Sequence, residues 1–334
     1  MFLSLHLAMV VKSLVSWFLS AFWRQKQIKV NRNLVVLITG CDSGLGHFAA
    51  RRCHEEGFTV IATVLDKNSN GSKKLLQEIG DSEYFHSIPM NLKSDESIKS
   101  VYDFASKFME NNDVRFHALI NNAGVMCFGE FEWLTSDIMN EELRVNLIGP
   151  MTLVKHFLPM IRQHKTRIIN VTSHCSLKSL PGLSVYSASK AGFRFWTEAL
   201  EKELYKFGVR VVNFIPGSFI TSSNIVNRSL MLSKTMKNGL SKEQIDTYGY
   251  YFEEYYTYLG HVANYVTEFP TEFHPEIISK LMNAITDENP RCLYKAEPWR
   301  YTFYYNLFRI IPQGPLERWL VEKFMLMPKM KINK

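Results

Sequence analysis

Tyr186 and Lys190 stand four residues apart in the run Tyr186-Ser187-Ala188-Ser189-Lys190. On a helix that spacing stacks the two side chains on one face. A phenol with a pKa of about 10 is a poor base at neutral pH, and a neighbouring ammonium favours its phenolate. Such a pair can take and return a proton in general acid–base work. Alone, Tyr-x-x-x-Lys also describes an ordinary pair on a surface helix, so its weight comes from its company. Ser173 lies thirteen residues upstream, directly after the apolar run Arg167–Thr172. A hydroxyl there sits at the carboxyl end of a strand, the edge at which open α/β sheets bind ligands.

A second constellation opens the chain's folded body. Thr39-Gly40-Cys41-Asp42-Ser43-Gly44-Leu45-Gly46 follows the apolar run Leu34–Thr39 and precedes a helical pattern through Phe48–Glu56. Glycines let a backbone turn tightly and approach a pyrophosphate, which the helix N-terminus then attracts. A glycine triplet alone means only a tight turn. Between a strand and a helix it reads as a dinucleotide cradle. Asp66, twenty residues past Gly46 at the end of a second apolar run, is placed to accept from an adenosine ribose hydroxyl. No arginine or lysine lies in the glycine loop, so NAD is favoured, while Lys67 beside Asp66 keeps NADP open.

The elements that must position these residues alternate. Leu34–Thr39, Thr59–Val64, His117–Asn121, Arg167–Thr172 and Arg210–Ile215 are short runs rich in Val, Ile and Leu, separated by helical patterns. That alternation predicts an α/β fold of βαβ units with parallel strands. Asn121-Asn122-Ala123-Gly124 ends one strand, Asn146 falls in the helix after it, and Pro216-Gly217 with Thr221 ends another.

The order TGxxxGxG, NNAG, Asn, Ser, YxxxK and PGxxxT, from about Leu34 to Thr221, resembles that of short-chain dehydrogenases/reductases. The phrase Thr39-Gly40-Cys41-Asp42-Ser43-Gly44 is similar to the branch holding D-β-hydroxybutyrate, retinol and hydroxysteroid dehydrogenases and an insect ecdysteroid-pathway enzyme. The resemblance implies a Rossmann-type doubly wound parallel sheet with helices on both faces. It implies Tyr186 as acid/base and Lys190 as the group that lowers its pKa and binds the nicotinamide ribose. Ser173 would hydrogen-bond the substrate oxygen, and Asn146 would hold the water of a proton relay. Gly40, Gly44, Gly46, Asn122 and Thr221 would hold the cofactor, with Thr39, Ser43, Leu45, Ala123, Gly124, Pro216 and Gly217 in the same motifs. Asn91 stands where the wider family usually has an aspartate contacting adenine. The implied reaction moves a hydride between NAD and a secondary alcohol or ketone, and the implied assembly is a homodimer or homotetramer. The helix after Tyr186, with Phe193, Phe195, Trp196, Ala199, Leu200 and Leu204, carries more apolar surface than one core contact needs.

Residues 34–290 form the expected catalytic domain, within which 222–270 reads as a loose substrate lid rich in Met and Tyr: Met231, Met236, Tyr248, Tyr250, Tyr251, Tyr255, Tyr256 and Tyr258. The competing reading of that stripe is plain core. A lid of this kind suits a bulky apolar alcohol such as a steroid. A small hydroxy acid would want a fixed cation, for which Lys178 and His174 are the candidates. The extension 291–334 carries Trp299, Tyr301, Phe303, Tyr304, Tyr305, Leu307, Phe308, Ile310 and Ile311, which either seal the pocket or meet a lipid interface.

The ends differ from the body. Met1 to Trp23 is apolar with a single cation, Lys12, and Arg24, Lys26, Lys29 and Arg32 follow without an acid. Residues 1–33 therefore read as a membrane anchor or an interfacial helix. If the segment spans, its basic flank is expected to keep the body cytosolic, at the endoplasmic reticulum or, alternatively, a mitochondrial membrane. Lys329, Lys331 and Lys334 make the other end basic, so the net charge of +7 sits at the termini of a nearly neutral body. That distribution fits membrane lipid and argues against nucleic acid. Five scattered cysteines give neither a disulfide framework nor a metal motif. A reading of another class, a catalytically silent dinucleotide sensor, has no need of an intact Ser173, Tyr186 and Lys190.

Overall fold

A computed structural model describes residues 26–267, 269–270 and 273–330. The apolar segment 1–23, with the anchor reading attached to it, lies outside the described residues. Among the described residues no helix is long and apolar enough to cross a membrane.

Seven strands form one sheet: β1 (Leu34–Ile38), β2 (Thr59–Val64), β3 (Phe85–Pro89), β4 (Arg115–Asn121), β5 (Arg167–Val171), β6 (Val211–Ile215) and β7 (Leu293–Lys295). Their spatial order is β3-β2-β1-β4-β5-β6-β7 and every pairing is parallel. The central strands are near-continuous Val/Ile/Leu because both faces are covered. The helices are α1 (Gly44–Glu55), α2 (Asn70–Ile79), α3 (Asp95–Asn112), α4 (Ser136–Leu143), α5 (Gly149–His164) and α6 (Ser184–Tyr205). They continue as α7 (Ile225–Gly239), α8 (Lys242–Ala263), α9 (Pro275–Thr286), α10 (Trp299–Ile310) and α11 (Pro315–Met325). One sheet face packs on Phe48 and Ala49 of α1 and Ile277 and Leu281 of α9. The other packs on Val101 of α3, Leu153 and Phe157 of α5, and Leu200 of α6. The chain winds outward from β1 to β3 and returns on the far side of β1 at β4. That reversal leaves a crevice at the carboxyl ends of β1 and β4, where such sheets bind ligands.

Several boundaries differ from the sequence expectation. β3 and β7 were not among the expected strands; Phe85-His86-Ser87-Ile88-Pro89 is half polar because it is a part-exposed edge, and β7 has only three residues. The sheet domain thus runs past 290 to include β7. It also begins before 34: Ile28 N–H donates to the Thr286 carbonyl, and Arg32 donates to the carbonyls of His54 and Phe58. Arg32 is therefore claimed by the body. The segment 222–270 is no loose loop but, over α7 and α8, a helical hairpin. Its Tyr251, Phe252 and Tyr255 pack around Trp133, with ring centroids 5.4, 5.0 and 5.4 Å away. Met236, Tyr251, Tyr255 and Tyr256 are core, as the plainer reading of the stripe held, whereas Met231 and Tyr250 are exposed.

Candidate active site

At the carboxyl ends of β1 and β4 lies a cleft of about 660 Å³. Gly40, Ser43, Gly44, Leu45, Asn91, Asn122, Ala123, Gly124, Ser173, Tyr186, Lys190, Pro216 and Gly217 all line it. The glycine loop is built to lie close to its surroundings. Gly40 and Gly44 have φ of +70° and +56°, which favours glycine, and a Cβ on Gly46 would fall 2.1 Å from the Gly40 carbonyl oxygen. The loop is pinned to the end of β4. Thr39 Oγ1 accepts from Asn122 N–H and Ala123 N–H, each at 3.0 Å, and Asn122 Nδ2 donates to the Thr39 and Gly40 carbonyls at 2.8 and 3.1 Å. Ser43 caps α1 in extended conformation without a side-chain cap bond, and the first turn of α1 holds no acid. The positive end of the helix is thus left to an anionic ligand, as a pyrophosphate requires.

Five expected residues do not line the cleft. Thr39 and Gly46 act one step back, through the pinning and close packing just described. Asn146 is 1% exposed and clamped. Thr221 lies off the cleft wall, its carbonyl accepting from Thr267 N–H at 2.8 Å, while Ser218, Phe219, Ile220 and Ser223 form that wall. Asp66 is exposed, and its Oδ1 turns back to accept from Asn68 N–H at 2.8 Å. The acid that the cleft meets beside the glycine loop is Asp42, whose Oδ2 accepts from Leu65 N–H at 3.3 Å at the end of β2. Sequence reasoning passed over Asp42, although an acid inside the glycine loop itself was the available signal. Asn91 Oδ1 accepts from Lys93 N–H, which leaves its amide nitrogen for the cleft.

The proton-transfer group assembles where β5 meets α6. Tyr186 and Ser173 are hydrogen-bonded to each other, and Ser173 Oγ also accepts from Cys175 N–H at 3.1 Å. Burial pushes the Tyr186 phenol up, opposed by that Ser173 bond. Lys190 donates to the Val171 carbonyl at 3.1 Å, and its Nζ stands 6.0 Å from the centre of the Tyr186 ring. Burial lowers its ammonium to about 8. A bound cofactor that adds positive charge beside the phenol has a buried, preset pair to act on.

A helix irregularity positions the next wall. Between α4 and α5 the chain widens to a π-turn over Arg144–Ile148, a feature frequent at functional sites. Asn146, in that turn, accepts from Val125 N–H and donates to the Val125 carbonyl, both at 2.8 Å, and donates to Ser189 Oγ at 3.1 Å. One turn earlier Glu142, 1% exposed, accepts from Cys127 N–H at 2.6 Å. Burial raises the Glu142 carboxyl to about 7. The two side chains latch the segment whose Val125, Met126 and Phe128 line the cleft. Glu142 had no distinguishing signal in the sequence.

The C-terminal extension covers the same cleft with Arg300, Tyr301, Tyr305, Phe324, Met325 and Met327. It consumes both candidate cations for a small acid. His174 Nε2 meets Glu297 Oε2 at 2.7 Å, with its Nδ1 on the Pro216 carbonyl at 3.0 Å. Lys178 pairs with Glu317, 7% exposed in α11. Four cysteines are buried and Cys292 is exposed, all as free thiols. Among the described residues no cluster of His, Cys, Asp and Glu is arranged to hold a metal ion.

Residues 34–229 match the family model described as short chain dehydrogenase. Mitochondrial D-beta-hydroxybutyrate dehydrogenase of Bos taurus is 31% identical over 265 residues, which cover 78% of this chain and 75% of that protein. Estradiol 17-beta-dehydrogenase 2 of Rattus norvegicus is 32% identical over 263 residues, covering 78% of this chain and 67% of that one. Among solved structures, the 3-ketoacyl-(acyl-carrier-protein) reductase of Brucella melitensis, complexed with NADH, superposes with a TM-score of 0.51 at 26% identity, over 56% of this chain and 77% of that one.

Proposed function

The chain belongs to the short-chain dehydrogenase family, and from that membership we propose that it is an NAD(P)-dependent oxidoreductase interconverting a lipophilic secondary alcohol, a steroid above all, and its ketone. The observation that carries the substrate class is the apolar wall of the cleft, together with the fate of the two expected cations; of the other basic side chains lining it, Lys93 and Arg228 pair with Glu141, and Arg300 donates to the Lys323 and Phe324 carbonyls. His174 and Lys178 are committed to Glu297 and Glu317, while Met126, Phe128, Leu180, Leu259, Tyr301 and Met325 leave an apolar wall. A relative named for estradiol fits such a wall better than one named for hydroxybutyrate.

Gly40, Gly44, Asn122 and Lys190 would hold a nicotinamide dinucleotide, which would supply the hydride acceptor or donor. Ser173 and Tyr186 hold the substrate oxygen between two hydroxyls. Tyr186 takes the alcohol proton in one direction and returns it in the other. Asn146 and Glu142 keep the facing wall in register, and the C-terminal cover excludes water from the pair. Residues 1–23 supply the membrane attachment of the proposal. α6, whose Phe195 is 66% exposed, supplies the surface for a homodimer.

The test is a panel of steroid alcohols, retinol and 3-hydroxybutyrate with NAD, read at nicotinamide absorbance. Steroid alcohols are expected to exceed hydroxybutyrate in kcat/KM by about 100-fold or more. The reverse order overturns the substrate class, and tight NAD binding with no turnover on any member favours the sensor reading. Cofactor choice gives a separate prediction. Asp42→Ser removes a carboxylate that would repel a 2′-phosphate, and is expected to raise NADP use relative to NAD by about tenfold or more. Asp66→Asn is expected to leave that ratio unchanged. Paired kcat/KM measurements with both cofactors check the pair.

A further inference from the structure

The C-terminal hairpin has two apolar sides, and the cleft uses only one. Tyr305 and Phe308 of α10 and Leu320 and Val321 of α11 are buried. On the opposite side of α10, Trp299, Phe303 and Ile310 are 79%, 53% and 77% exposed; on α11, Leu316 and Trp319 are 57% and 52% exposed, and Leu326, directly after that helix, is 57% exposed. Soluble surfaces rarely gather large apolar side chains in this way without a use for them.

The exposed groups border the mouth of the cleft. Leu326 stands between Met325 and Met327, and Trp299 adjoins Arg300; Met325, Met327 and Arg300 all line the cleft. Arg300 Nη2 donates to the carbonyls of Lys323 and Phe324 at 3.3 and 2.9 Å, which joins the start of α10 to the end of α11. Charge on these helices is one-sided. Glu317 is spent on Lys178 and Glu322 on Lys329, while Arg309, Arg318 and Lys323 are exposed, with Lys323 Nζ 5.9 Å from the Trp319 ring centre. Tryptophans beside cations suit the headgroup layer of an anionic bilayer, whereas the centre of a protein interface is depleted of charge.

We propose that this outer face docks on an anionic lipid bilayer, seating Trp299, Trp319 and Leu326 among the headgroups, so that an apolar substrate passes from lipid into the cleft beside Met325 and Met327. The inference rests on the lipophilic substrate class proposed above, and docking is read independently of turnover. The full chain is used in a Cys292→Ser background, since the other four cysteines are buried. Leu326→Cys carries a polarity-sensitive dye, and Phe131→Cys, at a site 62% exposed elsewhere, serves as control. With vesicles of phosphatidylcholine and phosphatidylserine, the emission at 326 is expected to shift to the blue and the shift to weaken in high salt, while the control stays put. Arg318→Glu with Lys323→Glu is expected to lower vesicle affinity by about tenfold or more. Protein that sediments with vesicles while the 326 probe is unmoved overturns the proposal and assigns attachment to another segment, such as 1–23. A shift that appears on concentrating the protein without lipid overturns it in favour of a second copy. Docking without turnover of any lipophilic alcohol sinks the substrate class alone, and turnover without a lipid-dependent shift sinks the docking alone.

Discussion

Tyr186→Phe is expected to lower turnover in both directions by about 10²–10⁴-fold while dinucleotide affinity is retained. The ring stays, and with it the packing against the cleft. Only the hydroxyl that Ser173 holds is lost. The pH dependence follows from the directions of the shifts. Burial pushes the phenol up, so at neutral pH it carries its proton and serves as an acid for ketone reduction. Alcohol oxidation needs that proton gone, so its rate is expected to climb with pH while reduction falls. Lys190, lowered to about 8 by burial, loses its ammonium above that point, and the charge favouring phenolate fades with it. The oxidation profile is therefore expected to bend near that pH. Nicotinamide absorbance across a pH series, with calorimetry for cofactor affinity, checks both parts. A Tyr186→Phe protein that keeps its rate to within about threefold removes the phenol from the chemistry.

The second large effect is steric. In Gly46→Ala the new Cβ lands 2.1 Å from the Gly40 carbonyl oxygen and 2.4 Å from Asn122 Nδ2. Backbone cannot yield there without pulling apart the bonds that join the glycine loop to the end of β4. Dinucleotide affinity is expected to fall by about 100-fold, and stability by about 1–3 kcal/mol, the usual range for overpacking. Gly260→Ala is the control, since a Cβ there meets nothing within 4 Å. It is expected to leave affinity unchanged and stability equal or slightly raised. Calorimetric titration and thermal melts of the two variants measure the contrast. Equal affinities would mean that the loop does not cradle the ligand.

Much of the scaffold was legible because its signals are local. β2 (Thr59–Val64) occupies the residues expected of it, since an uninterrupted apolar run specifies its own extent. β3 escaped because an edge strand need not be apolar, and β7 because three residues carry no period. The tyrosines around Trp133 looked like either lid or core, because helical spacing says which side chains share a face but not what that face meets.

What the chain determined by itself is the order of its chemistry: a glycine turn before a helix, a serine after a strand, and a phenol and an ammonium one turn apart. These depend on neighbours in sequence, and backbone periodicity carries them directly. What only the tertiary structure decided is which groups meet across distant segments. Asp42 rather than Asp66 reaches the cleft because the loop after β1 folds over the end of β2. His174 and Lys178 lose their availability because carboxylates more than a hundred residues later close on them. The charge state of Tyr186 belongs to the same class, since desolvation is set by everything packed around a group and by no spacing along the chain.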